Sequence, residues 1–301
     1  MNIAYRVTHR TEYRYATDVV PSYSQLHLVP RELVGQRLRS SEVRIQPSPE
    51  YFSERLDYFG NRVAYAAIQE PHRLLTVTAD SVVEIGDRPI GPSLLGERPW
   101  EQVRDEARAM PPGDGLDPAQ FALPSPLVAE SGELRSYALE SFRPGRPLID
   151  AVVELSSRIH DDFEYKPGST TVNTPVRKVF AKRRGVCQDF AHVGIACLRS
   201  LGLPARYVSG YLETDPPPGR QKLKGADVSH AWMSVLMGEE DWLELDPTND
   251  QLVNERYIVT AYGRDYSDVP PLKGVIHTLG RTKSLKVTVD VVALDEPSVD
   301  N

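Results

Sequence analysis

Gly185-Val-Cys-Gln-Asp-Phe-Ala-His192 opens an apolar run that continues to Gly202. Phe190, Val193, Ile195, Ala196, Leu198 and Leu201 make most faces of that run apolar, which predicts a buried central helix stopping at the glycine. Cys187 then lies in the first turn. Unbonded backbone N–H groups and the helix dipole favour a thiolate there, and the thiolate is the nucleophilic form. Arg183-Arg-Gly185 reads as a basic, flexible lead-in that adds positive charge. Most helical cysteines are packed core thiols. Cys197, between Ala196 and Leu198, has that character; Cys187 does not. The Cys187 N–H also points out of the helix, where it can help hold an oxyanion.

A thiol nucleophile needs a base, most often histidine, and the chain offers seven. His192 lies five positions along the same helix, about 140° around its axis. It faces away from Cys187 and reads as a packing or hydrogen-bonding residue. His230, in Ser229-His-Ala-Trp232, sits near the start of a predicted strand, with Trp232 placed to shield the ring from water. Asp246, in Trp242-Leu-Glu-Leu-Asp-Pro247, is the candidate carboxylate to orient the imidazole and stabilise its charged form. A loop over 237–241 pairs Leu236 with Trp242 and Trp232 with Asp246. His230 and Asp246 are then diagonal neighbours on one face; a loop one residue shorter separates them. Asp189 and Arg206 read as structural residues, Asp189 interacting with its own helix N-terminus.

The rest of the chain frames this segment. Its 301 residues are 26% charged and 40% hydrophobic with net charge -7, which argues for two soluble domains and against a nucleic-acid binder. No apolar run reaches membrane-spanning length. The start lacks the pattern of a secretory signal, so a cytoplasmic protein is expected. The two cysteines are separated by about 15 Å of helix, too far for a disulfide. Ile3, Tyr5, Val7, His9, Thr11, Tyr13 and Tyr15 alternate with polar residues, as in a half-buried strand. Further strand patterns cover Gln25–Val29, Glu42–Gln46 and Leu74–Ile85, and two more flank a tight turn at Gly60-Asn61. This spacing predicts a β-sandwich or barrel. Helices are expected at Pro99–Met110, Ser125–Phe142 and Leu148–Phe163, with breaks at Pro111-Pro-Gly113 and Pro144-Gly-Arg-Pro147. Strands follow at Ala205–Leu212, Val228–Met237, Trp242–Asp246 and Tyr257–Thr260, with an exposed loop from Pro216 to Gly225. The alternating Leu285, Val287, Val289 and Val291 form a late strand that needs a sheet, available in the N-terminal sandwich.

Taken together, GVCQDFAH (Gly185–His192), ARYVSGYL (Ala205–Leu212), SHAWMSVL (Ser229–Leu236) and WLELDPTND (Trp242–Asp250) resemble the transglutaminase-like superfamily. The likeness covers 148–250, and the N-terminal pattern is similar to bacterial members with a β-rich first region. It implies an α+β fold: a papain/transglutaminase-like core of helices on an antiparallel sheet, preceded by a β-sandwich-like domain. The expected division is 1–90 (β-rich domain), 91–145 (helical connection), 146–270 (catalytic domain) and 271–301 (C-terminal strand pairing with the first domain). The resemblance implies a Cys187-His230-Asp246 triad. Tyr165 and Gln188 are candidates for the second oxyanion donor, Tyr165 equally reading as a packed aromatic, and Trp232 lines the site. No serine-hydrolase elbow, zinc motif or Walker loop occurs, so no metal and no cofactor are expected. The expected function is a cysteine-dependent amide hydrolase acting on a peptide or protein, with no nucleic-acid or membrane partner. The alternatives are a transglutaminase with the same triad and a non-catalytic scaffold.

Overall fold

Period-two patterning builds the first part of the chain. β1 (Ile3–Val19), β2 (Ser22–Leu26), β3 (Gln36–Gln46), β4 (Tyr51–Leu56), β5 (Arg62–Ile68) and β6 (His72–Ile85) follow one another. In β1 the side chains of Tyr5, Val7, His9 and Thr11 are buried, and Arg6, Arg10 and Arg14 are exposed. α1 (Trp100–Ala109), a 3-10 turn (Pro118–Ala122), α2 (Gly132–Ser141) and α3 (Leu148–Asp162) come next. Then follow β7 (Glu164–Tyr165), α4 (Val176–Lys182), β8 (Arg184–Gly185) and α5 (Cys187–Ser200). β9 (Ala205–Leu212), β10 (Ser229–Gly238), β11 (Asp241–Asp246), β12 (Gln251–Leu252) and β13 (Tyr257–Gly263) precede β14 (Leu272–Ile276) and β15 (Thr282–Leu294). The structure is a computed structural model that describes residues 2–86, 97–110, 117–214, 227, 229–238, 241–278, 280 and 282–294.

The architecture is α+β. A four-stranded sheet ordered β15-β1-β6-β3 and another ordered β14-β2-β5-β4 form the sandwich. Tyr15, Leu26, Ile68, Leu75 and Val77 meet in its core. β15 pairs antiparallel with β1 from Ala4↔Leu294 to Tyr15↔Thr282, and β14 pairs with β2. The last strands of the chain are therefore part of its first layer. The third sheet is five-stranded and antiparallel, ordered β12-β11-β10-β9-β13. α5 packs on it, with Val193 and Cys197 in one core with Ala231, Met233 and Val235. Gly194 makes this approach close enough to matter, because a methyl group there would run into the Met233 sulfur. Tyr5, Val7, Val83 and Val291 from the sandwich join Tyr211 and Ile258 from the third sheet in a separate apolar cluster.

Several local expectations change. The strands around Gly60-Asn61 end at Leu56 and Arg62, so the connection is a longer loop over 57–61 rather than a tight turn. The Asp57 carboxylate organises it, accepting from the Phe59 and Asn61 N–H groups at 2.8 Å each. The helix expected from Ser125 starts only at Gly132. Ser125 and Val128 exchange backbone hydrogen bonds, and the Leu127 N–H donates to Asp265 at 2.8 Å, which holds this stretch in a loop. β3 begins earlier than its alternation indicated, and α4 and β14 were not expected. The glycine- and proline-rich stretches at 87–96 and 111–116 and the loop at 215–226 lie outside the described residues.

β13 ends the third sheet, and its outer edge is closed by side chains. Gln36 is a buried amide that accepts from Val259 N–H and donates to Val259 C=O, both at 2.8 Å. Asn61 does the same for Tyr262, again at 2.8 Å each way. Both amides mimic a neighbouring strand and blunt an edge that would otherwise pair with another chain. We expect Asn61→Ala to lower stability by about 2–4 kcal/mol, since it leaves two buried peptide groups without partners. Urea denaturation of the variant against wild type measures this.

Candidate active site

Cys187 is the first residue of α5, so its N–H has no acceptor within the helix. Two contacts fix this helix start. The Asp189 carboxylate reaches back to the Val186 N–H at 2.9 Å and accepts from the Thr170 hydroxyl at 2.6 Å. Gly185 is required beside it, because any side chain there would strike the Asp189 carboxyl. The lead-in is ordered rather than loose: β8 pairs parallel with β7, placing Tyr165 opposite Gly185. Its charge also goes elsewhere. The Arg183 guanidinium stacks on Tyr137, Phe163 and Phe180 at 4.1–4.8 Å, an aromatic cage that directs it into the helical layer.

Cys187 is half-buried, while His230 is 7% and Asp246 0% exposed, so of the three Cys187 is the most accessible to solvent. His230 Nε2 donates to Asp246 Oδ2 at 2.7 Å. Cys187 is among the groups that raise the pKa of the same imidazole, whose Nε2 is taken by Asp246. The strand register that brings this about pairs Leu236 with Trp242 and Met233 with Leu245. The hairpin is tighter than a 237–241 loop: β10 runs to Gly238, which pairs with Asp241 across a register shift. Gly238 has φ 134°, a conformation that suits glycine and lets the strand extend this far.

Burial alone would lower the His230 pKa. Its bonds to Asp246 and Cys187, with the charges of both, outweigh that and push it up to about 10. Burial would raise the Asp246 pKa. The bond and charge of His230, with bonds from Tyr257 and Asn249, hold it below the usual carboxylate range. These last two residues had not been anticipated. Tyr257 Oη donates to Asp246 Oδ2 at 2.7 Å, and Asn249 Nδ2 donates to the same oxygen at 2.6 Å. The Thr248 N–H donates to Oδ1 at 2.8 Å. The sequence carried a signal for the turn, since an aspartate commonly accepts from the N–H two residues on. It carried none for Tyr257, which arrives from another strand.

The other expected site residues are distributed as follows. Trp232 is fully buried, with its ring centroid 6.0 Å from that of His230 and its Nε1–H bonded to Glu244 at 2.9 Å. Tyr165 is 49% exposed and lies edge-on to Phe190. Burial, then the charges of Cys187 and Asp246, raise its pKa, so its O–H remains a donor. The Gln188 amide donates to Val172 C=O at 3.0 Å, binding the 169–174 loop to the helix start. His192 is buried, accepts from the Tyr266 N–H at 3.2 Å and packs on Tyr207. Burial lowers its pKa to about 4. Arg206 lies between Trp242 at 4.2 Å and Tyr262 at 3.7 Å. Among the described residues no group of three or more His, Cys, Asp or Glu side chains is placed to hold a metal ion, and no helix is long and apolar enough to cross a membrane.

His230 stabilises the fold fully below its ordinary pKa of 6.5, and that contribution disappears as pH rises through about 10. Asp246 has the opposite sign: its contribution is present above 3.8 and is lost as pH falls through its depressed value. We therefore expect wild-type urea stability to fall between about pH 7 and pH 10. Asp246→Asn should remove most of that fall and Tyr257→Phe part of it.

Residues 5–84 match the family described as the bacterial transglutaminase-like N-terminal region, and residues 135–247 match the transglutaminase-like superfamily. An uncharacterized protein of Mycobacterium tuberculosis is 47% identical over 297 residues, which covers 97% of this chain and 93% of that protein. A segment of 92 residues is 35% identical to a protein-glutamine gamma-glutamyltransferase of Pseudomonas aeruginosa, covering 30% of this chain and 14% of that protein. A solved structure from Cytophaga hutchinsonii, described as a candidate cysteine protease, superposes with TM-score 0.76 at 22% identity, covering 99% of this chain and 92% of the other. At that identity the superposition speaks for the fold.

Proposed function

The chain belongs to the transglutaminase-like superfamily, and from that premise we propose that it is a cysteine-dependent amide hydrolase working through an acyl-enzyme on Cys187. The observation that carries this reading is the bond of His230 to the buried Asp246 carboxylate at 2.7 Å, with Cys187 among the groups that favour the charged imidazole. A thiolate on Cys187 beside an imidazolium on His230 is the reactive pair. Sulfur adds to the amide carbonyl carbon, and the electron pair of the C=O moves to oxygen. The Cys187 N–H and the Tyr165 O–H are the proposed donors to that oxyanion. His230 gives its proton to the amide nitrogen, the C–N bond breaks and the amine leaves. A water then adds to the thioester carbon while His230 accepts its proton. The C–S bond breaks, releasing the carboxylic acid and restoring the pair. Asp246 keeps Nε2 protonated throughout and does not itself take the proton.

The proposed substrate is a peptide or protein. The net charge of -7 disfavours nucleic acid. Two free cysteines suit a reducing compartment, and we place the protein in the cytoplasm on that ground. A second reading has a specific observation in its favour: the segment shared with the protein-glutamine gamma-glutamyltransferase. If an amine rather than water attacks the thioester, the same residues transfer the acyl group.

We expect Cys187→Ala to lower turnover of a glutamine-containing peptide by on the order of 10⁴-fold or more, and Cys197→Ala to leave it near wild type. Mass spectrometry with and without an added primary amine separates hydrolysis from transfer. Turnover that survives Cys187→Ala would defeat the assignment. Absence of turnover in wild type across a broad peptide library would favour a scaffold.

A further inference from the structure

We propose that the β-sandwich is part of the catalytic apparatus, and that Asp227 is the positioning residue that ties it to the strand carrying His230. The role rests on the proposed Cys187–His230 pair. Asp227 lies three residues before His230, and its side chain is almost completely buried. One carboxylate oxygen accepts from the Thr214 N–H at 3.2 Å and the Thr214 hydroxyl at 2.6 Å. The other accepts from the Val291 N–H at 2.8 Å. The backbone of Asp227 also bridges to Val289. Thr214 follows β9, whereas Val289 and Val291 belong to β15 in the sandwich. A single carboxylate thus joins the segment leaving β9, the segment approaching β10 and a strand of the other layer.

The neighbouring strand is anchored in the same way. Ser229 pairs with Tyr211 and His230 with Gly210 across β10 and β9. The Tyr211 side chain lies in the apolar cluster with Tyr5, Val7 and Val291, and its hydroxyl hydrogen-bonds His9 at 3.2 Å. His230 is the second residue of its strand, so it lies close to the segment that Asp227 holds. Its position depends on how the approach is held, and Val289 and Val291 of the sandwich share that hold with Thr214 beside β9. A buried carboxylate that accepts from three donors resists displacement, because moving it leaves charge and N–H groups unpaired.

The test uses full-length protein and needs no substrate. Alkylation of Cys187 by iodoacetamide is followed against pH by peptide mass. Wild type should react rapidly at neutral pH if Cys187 and His230 act as the proposed pair. In Asp227→Asn one oxygen becomes an N–H₂ that cannot accept, so whichever way the amide turns, the tie to the Val291 N–H or to the Thr214 N–H is lost. Its neutral-pH rate should fall on the order of tenfold, with the strongly alkaline rate unchanged, because misplacement of a reacting group costs rate steeply. Thr214→Val removes one donor and should shift the profile less, in the same direction; it serves alone if Asp227→Asn does not fold. Val77→Ala, in the sandwich core away from this contact, should lower Tm and leave the profile in place. A wild-type profile in Asp227→Asn, or an equal shift in Val77→Ala, would overturn the role. A wild-type protein with no fast neutral-pH reaction would overturn the Cys187–His230 pair itself, and this role with it.

Discussion

A carboxylate with no exposed surface must be matched at both oxygens, and at the candidate site that carboxylate is Asp246. Removing a charge from water costs several kcal/mol unless partners replace the lost hydration. Here the partners come from separate places: His230 from β10, Tyr257 from β13, and Thr248 and Asn249 from the turn after β11. α3 holds that turn from outside, through the Ser157 hydroxyl bonded to Asp250 at 2.6 Å and His160 bonded to the Thr248 carbonyl at 3.0 Å. Moving any of these elements leaves a buried charge short of a donor. The Asp246 environment is therefore a structural requirement of the third sheet as well as a device for orienting an imidazole.

A second polar network connects this environment to the sandwich. Glu244 accepts from Trp232 Nε1, beside His230, and from the Tyr262 hydroxyl at 2.7 Å. Tyr262 carries the Arg206 guanidinium at 3.7 Å from its ring centroid and that of Arg31 at 4.8 Å. Burial lowers the Arg206 pKa, and the ring and carboxylate neighbours oppose that loss of charge. Arg31 also donates its backbone N–H to Val259 at 3.0 Å, next to the amide of Gln36. The sandwich thus meets the third sheet through polar groups that each need a particular partner, and not only through an apolar contact. Specific pairing of this kind fixes the relative position of two layers more tightly than hydrophobic burial alone, which is non-directional.

The residues that the fold brings together at the candidate site could be picked out in the sequence because their types and local settings are restrictive. A cysteine at a helix start, a histidine at a strand start and an aspartate before a proline each have few structural reasons to occur together. Counting across the hairpin was enough to pair Leu236 with Trp242, although Gly238 tightened the loop through a register shift. What could not be read were contacts made between distant segments. Tyr257 looks like one aromatic in an apolar strand until β13 is placed in the sheet. Asn61 looks like a turn residue until Tyr262 is brought beside it. Arg183 looks like a source of positive charge for the thiol until Phe163 and Phe180 enclose it. The late start of α2 has the same origin, since the loop before it is held by Asp265 from the far end of the core.

The opposite directions of the His230 and Asp246 shifts link reactivity to folding. Each group is held in its charged form by the other, against a burial effect that favours neutrality in both. The imidazolium that would protonate a leaving amine is therefore the same species that satisfies the buried carboxylate. On the proposed mechanism, donating that proton would remove a charge the core relies on. The bonds from Tyr257, Asn249 and the Thr248 N–H remain on Asp246 at that moment and limit the cost. A carboxylate with a single partner would be pulled towards protonation each time the histidine was neutral. With three other donors it keeps its charge, and so keeps the ring oriented, as the proposed return of the proton from water requires.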